Sequence, residues 1–122
     1  MSNNSILPEP VRNKYSREIS FIRKCAKSGA IRISNHCYQQ MAERHIKLSD
    51  VYDSIRNGTI MEVQNLERDT KIVFQDSNNK PPDFFVAVAI KPTMGICVTA
   101  YHPDPDKWIL ESNNQWRRKQ NV

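Results

Sequence analysis

His36, Gln40 and Arg44 recur at four-residue spacing in Ser34-Asn-His-Cys-Tyr-Gln-Gln-Met-Ala-Glu-Arg44. On a helix these side chains form one polar stripe. Histidine titrates near neutral pH and serves as acid or base. Arginine presents a permanently charged planar fork that matches phosphate oxygens. Cleaving RNA without a metal needs a base for the 2′-hydroxyl, a cation for the charge developing on phosphate, and an acid for the leaving oxygen. Two helical turns, about 12 Å, separate His36 from Arg44, so both tips would have to close over one phosphodiester lying across the stripe. The alternative is a solvent-facing helix whose histidine caps or packs locally.

A second group is Thr99 and Tyr101 in Ile96-Cys-Val-Thr-Ala-Tyr101. Strand alternation places both on the face of Cys97, opposite Ile96, Val98 and Ala100. A phenol there would orient or protonate a substrate oxygen; otherwise it is half buried with its hydroxyl in water. His102 opens the bend His102-Pro-Asp-Pro-Asp-Lys-Trp108 and is either a second acid or base or an exposed turn histidine. The two prolines would lead Trp108 back onto the core. Arg32, Gln40, Lys47, His102, Arg117 and Arg118 are the candidates for gripping a nucleic-acid backbone. Arg117, Arg118 and Lys119 would equally suit a solvated helix end.

Other chemistries lack their residues. His45 with His36, Cys37 or Cys97 has none of the short spacings of structural zinc. No G-x-x-x-x-G-K-[ST], G-x-G-x-x-G or G-x-S-x-G is present, and three glycines hardly build a phosphate loop. Neither metal nor cofactor is expected. Cys25, Cys37 and Cys97, odd in number and far apart, read as reduced, partly buried thiols.

With 122 residues, 25% of them charged, the chain reads as one globular domain with a genuine core. Its net charge of +5 favours an anionic partner, nucleic acid being the commonest. The basic residues gather in the first half and in the tail. The longest apolar run, residues 84–90, is far shorter than a membrane span, and the first residues lack the basic-then-apolar order of a secretory signal. A cytoplasmic location without membrane contact is expected.

The elements follow from periodicity. Residues 1–13 read as a flexible leader and 14–122 as a single domain. A helix is predicted over 15–28, with Ser16 able to cap it, Ile19, Ile22 and Ala26 inward, and Gly29 as its stop. Residues 31–33 form a short extended link. Ser34 or Asn35 caps a second helix over 36–44 with Cys37, Met41 and Ala42 inward. Ser49 caps a third, with Asp50 in its first turn, Val51, Ile55 and Tyr52 on its buried side and Gly58 at its end. Residues 59–63, 71–75, 84–90 and 95–101 read as strands. The run 84–90, apolar on both faces, is the central one, and the short connections favour an antiparallel meander. A last helix is predicted around 113–120. The expected fold is α+β: N-terminal helices on a four-stranded, mainly antiparallel sheet with a short C-terminal helix.

Two separated blocks together resemble the bacterial domain of unknown function 4258. Its opening, a Ser-x-His, a Met-x-x-Arg, an isoleucine, an acidic residue with valine and a later glycine, is matched by Ser34, His36, Met41, Arg44, Ile46, Asp50, Val51 and Gly58. Its ending, Ile-x-Val-Thr-x-Tyr, then x-Pro-Asp and a tryptophan, is matched by Ile96 to Tyr101, Pro103, Asp104 and Trp108. The resemblance spans residues 31 to 108. It implies a helix-then-sheet fold similar to RelE and barnase-like ribonuclease toxins, the family's histidine at His36, its helix arginine at Arg44, and its strand threonine and tyrosine at Thr99 and Tyr101. Relatives resemble toxins of toxin–antitoxin pairs, sometimes beside an MqsA-like zinc-finger antitoxin. The long polar stretch 76–83, where a short hairpin is usual, departs from the pattern and bears on the substrate groove.

Three readings compete. The first is a metal-independent endoribonuclease acting on RNA and paired with an antitoxin protein: Arg44, with Lys47 or Arg32, holds phosphate, His36 is base or acid, and Tyr101 orients or protonates an oxygen. The second is a non-catalytic module docking nucleic acid or an acidic protein. The third is an immunity or antitoxin-like interaction partner.

Overall fold

The computed structural model describes residues 5–65, 69–76, 82–113 and 115–119. Among them are the helices α1 (Glu9–Lys14), α2 (Ser16–Lys27), α3 (Asn35–Arg44) and α4 (Leu48–Asn57). The strands are β1 (Ile31–Ile33), between α2 and α3, then β2 (Thr59–Gln64), β3 (Lys71–Gln75), β4 (Phe85–Ile90), β5 (Gly95–Tyr101), β6 (Trp108–Leu110) and β7 (Trp116–Arg118). β2 to β5 form the predicted antiparallel meander, β1 joins β5 in parallel, and the order is β1-β5-β4-β3-β2. β6 and β7 pair as a separate hairpin.

The sheet is thus five-stranded and mixed, not four-stranded and mainly antiparallel. The extended link became its fifth strand. Three residues are too few for alternation to distinguish strand from link; the pairing of Ile31 with Gly95 and Ile33 with Cys97 decides it. The outer edge of β1 is closed by Tyr52, whose hydroxyl accepts from the Ile31 N–H at 3.3 Å and lies 2.8 Å from the Ile31 carbonyl, to which it can donate. A strand, not the expected helix, also occupies 116–118. Trp116 and Arg118 turn toward the sheet while Arg117 turns to Glu111, a period of two too short to read from sequence.

Residues 5–14 do not trail as a leader. The Ile6 N–H donates to the Ile60 carbonyl at 3.0 Å, Leu7 is buried, and α1 begins after Pro8 with Pro10 in its first turn. Residues 1–4, and 77–81 of the long polar stretch, lie outside the described residues.

Local signals explain the helices that matter for the site. Ser34 accepts from the Cys37 N–H at 3.0 Å and so caps α3, which ends at His45 in the left-handed conformation, φ 58°. α4 starts one residue before Ser49, with Lys47 at its cap position and Asp50 in its first turn. Gly58 is required for space: a Cβ there would run into the carbonyls of Gln75 and Ser54.

The core lies on both faces of β4. Val86 and Val88 join Ile22, Cys37, Met41, Val51 and Ile55 beneath the helices. Phe85 and Ala87 face the other way, toward Met61, Val73 and Trp108. Arg23 ties the helical layer together. Its guanidinium donates to the carbonyls of Ile55, Arg56 and Gly58 at 3.0, 2.8 and 3.2 Å, and stacks 5.4 Å from the Phe74 ring centre. These are the carbonyls that a helix end leaves unpaired, and burial lowers the Arg23 pKa from its ordinary value. Replacing Arg23 with methionine keeps the stem but leaves the end of α4 uncapped. We expect a loss of about 2–4 kcal/mol in urea unfolding, against less than about 0.5 kcal/mol for Lys27→Met on the exposed side of α2.

Candidate active site

The polar stripe is carried by a helix moored to the last strand of the meander. The Ser34 N–H donates to the Cys97 carbonyl at 3.0 Å, and the Ser34 hydroxyl lies 3.4 Å from the Val98 carbonyl. The sulfurs of Cys37 and Cys97 are 3.5 Å apart, and Gln40 Oε1 accepts from the Ala100 N–H at 3.0 Å. From Ser34 to Gln40 the helix therefore advances along β5 from Cys97 to Ala100. Both thiols are buried; the hydrogen bond with Cys37 and then burial raise the Cys97 pKa well above the ordinary thiol value. They are structural contacts.

The three stripe residues fare differently. His36 is exposed in the first turn of α3. Gln40 is committed to the fold, since Ala100 would otherwise lose its partner at the edge of β5 beyond β1. Arg44, in the last turn, is half-buried, and its Nη1 is fully buried with no hydrogen-bond partner among the described residues. A buried guanidinium nitrogen in that state is destabilising by about 1–3 kcal/mol or more until something accepts from it.

Tyr101 does not join them. β5 carries a bulge: Ala87 pairs with Thr99 but Val88 with Cys97, so Val98 is an extra residue. Simple alternation fails there, and Tyr101 ends up on the face opposite Cys97. Cys97 and Ala100 belong to the core under the helices, whereas Val98 and Tyr101 pack on the hairpin side. The Tyr101 ring meets Phe85 edge-on, centroids 5.5 Å apart. Burial, reinforced by nearby Glu62, pushes its pKa up to about 12, with Arg118 opposing. Thr99 is half-buried beside the bulge.

The backbone-gripping candidates are scattered. Arg32 and Lys47 are exposed. His102 Nδ1 bonds to the Asp83 carbonyl, a contact that ties the residue after β5 to the stretch just before β4. Arg117 pairs with Glu111 at 3.1 Å. Arg118 holds Glu62 with two bonds, 3.2 and 2.7 Å, and lies 4.4 Å from the Trp108 ring centre; the hydrogen bond to Glu62 raises its pKa. Two buried charged or polar side chains that sequence reasoning passed over, Asp76 and Gln75, act on backbone. Asp76 accepts from the amides of Asp83 and Phe84 at 2.7 and 3.1 Å, and Gln75 from Trp116 at 3.0 Å. Only the turn-like run opening at Asp76 signalled either. Among the described residues, no three of the His, Cys, Asp and Glu side chains are grouped as a metal would require, and no helix is long and apolar enough to cross a membrane.

Two outcomes follow for groups placed by β5. Gln40→Ala strips the Ala100 N–H of its acceptor, and an equilibrium denaturation should show a loss of about 1–2 kcal/mol. For Tyr101 the folded pKa lies above the unfolded value of 10. The protonated phenol therefore contributes stability below pH 10 that is lost as pH climbs from 10 toward 12. The stability difference between wild type and Tyr101→Phe should shrink over that interval; a difference constant from pH 8 upward would contradict the placement.

The family model described as Domain of unknown function (DUF4258) matches residues 33–110. No curated protein and no solved structure matches the chain. The matched stretch runs from the last residue of β1 through α3, α4 and the meander to the end of β6, leaving α1 and α2 ahead of it. The match covers well over half of the chain, including the helix with the stripe and the strand that moors it, and the chain belongs to the DUF4258 family.

Proposed function

We propose that this protein is a metal-independent endoribonuclease of the toxin type, with an antitoxin protein as its partner, and that its phosphodiester site is the stripe of α3. The observation that carries the reading is the orphaned guanidinium nitrogen of Arg44 on the same helix as an exposed imidazole. A phosphate oxygen is the acceptor best matched to an arginine fork. In the reaction, His36 takes the proton of the 2′-hydroxyl, the freed oxygen attacks phosphorus, and the bond to the 5′-oxygen breaks. That oxygen is protonated by water, leaving a 2′,3′-cyclic phosphate. Arg44 neutralises the charge that gathers on the phosphate in between. Kinship with RelE and barnase-like toxins belongs to the same reading and is supported by the order of helices before a sheet.

A second reading, a non-catalytic module that docks RNA by the same helix, is favoured by one observation. The Tyr101 ring packs on the opposite face of the sheet, so the phenol expected beside the imidazole is not there.

The two part experimentally. Purified protein should cut RNA in EDTA, and His36→Ala or Arg44→Ala should each slow cutting about 100-fold or more without lowering the thermal unfolding temperature. Undiminished cleavage in both variants would remove the site. Salt-sensitive binding of RNA with no product at any enzyme concentration would establish the second reading instead. Induced expression should arrest growth of the host for wild type and not for His36→Ala.

A further inference from the structure

The helices ahead of the family-matched stretch build a cleft of their own. It lies between α1, the first two turns of α2 and the start of β2, with a volume of about 120 Å³, room for about four waters at liquid density. Its polar lining is Arg12, Arg23 and the serines at 5, 16 and 20, and no carboxylate contributes among the described residues. Arg23 forms the inner wall, its guanidinium turned to the end of α4. Arg12 is the available cation. It is half-buried, and although Glu9 stands three residues earlier on the same helix, no ion pair joins them and no side-chain hydrogen bond engages Arg12 among the described residues. Ser16 and Ser20 are one helical turn apart, about 6 Å along the axis, both exposed. Across α2 the same two serines line a shallower groove with Arg17 and Lys24. A row of hydroxyls is thus flanked by guanidinium on one side and by a second pair of cations on the other.

We propose that this cleft is a phosphate-binding site, with Arg12 supplying the charge-assisted bonds and Ser16 and Ser20 the neutral donors. Arginine with hydroxyl donors suits the several oxygens of a phosphate, each of which accepts more than one hydrogen bond. Among the described residues, no carboxylate of the lining repels it. The phosphate is either a link in a polynucleotide that continues across Ser16 and Ser20 to Arg17 and Lys24, or the terminal group of a small phosphate compound. The site is separate from the α3 stripe, so its occupancy does not depend on whether His36 and Arg44 cleave anything.

The test is an amide-resonance titration of the full chain with two probes: inorganic phosphate, and a short single-stranded RNA made uncleavable by 2′-O-methylation. Phosphate should shift the Ser16 and Ser20 amides, and Arg12→Ala should weaken that binding at least about tenfold, with Arg12→Lys retaining part of it. If a polynucleotide is the source, Arg12→Ala should also weaken RNA binding and lower its salt slope by about one. If the source is a small compound, phosphate binding is lost in Arg12→Ala while RNA binding is unchanged. Ser20→Ala, at an exposed helical position, gives a second variant of the same cleft and should weaken whichever probe binds. Unmoved Ser16 and Ser20 resonances with both probes, or equal affinities for wild type and Arg12→Ala in both titrations, would overturn the proposal.

Discussion

β4 must be buried on both sides, and most of the architecture answers to that. Phe85 to Ala89 are all buried. Val86 and Val88 point one way, Phe85 and Ala87 the other. A strand with two apolar faces cannot leave either in water, so the chain supplies two covers. Helices come from before the meander. The other cover is the β6–β7 hairpin, which brings Trp108 and Trp116 edge-on to Phe85 at 4.7 and 6.4 Å between centroids. Each such aromatic pair adds about 0.5–1.5 kcal/mol beyond the area it buries. A helical tail would present Trp116 without the backbone pairing that sets Trp108 opposite Arg118 and lets that arginine lie over the indole.

The same two-sidedness decides what meets at the candidate site. α3 belongs to the helical cover and is anchored on Cys97 and Ala100, residues of the face it protects. Tyr101 belongs to the other cover. Between them stands one bulged residue, Val98, which resets the alternation of β5 so that Ala100, not Thr99, shares the face of Cys97. Regular alternation through Val98, with no bulge, would have turned the phenol toward the helix. The proposed chemistry consequently rests on His36 and Arg44, while Tyr101 contributes packing to the hairpin face.

How far this could be read from sequence depends on the range of the interaction concerned. α2 and α3 announced themselves through three- and four-residue spacing and through Ser34 and Gly29, all local signals. β4 was legible as an apolar run bounded by turn-forming residues. The bulge in β5 was not, because every residue from Ile96 to Tyr101 suits a regular strand and no glycine or proline marks Val98. β1 and β7 have three residues each, too few for any period, and exist because a partner 64 residues away (Ile31 with Gly95) or pairing with β6 holds them. The spacing of His36, Gln40 and Arg44 on α3 was legible, yet the role of Gln40 is set by an amide 60 residues distant, and a helical wheel treats Gln40 and Arg44 as equals.

Charge is subject to the same distinction. A net charge of +5 says that an anion is a suitable partner, not where it would sit. The tail arginines, prominent in sequence as Arg117-Arg118-Lys119, hold Glu111 and Glu62. Arg23 holds the carbonyls at the end of α4. The two exposed pairs of the tail add at most about 1 kcal/mol each to stability, and they, like the bonds of Arg23, compete with any incoming phosphate for the same donors. Arg44 differs, because its buried Nη1 has no bond among the described residues to give up. Net affinity for an anion follows from bonds formed minus bonds surrendered. By that measure the end of α3, rather than the more basic tail, suits the phosphodiester of the proposed function.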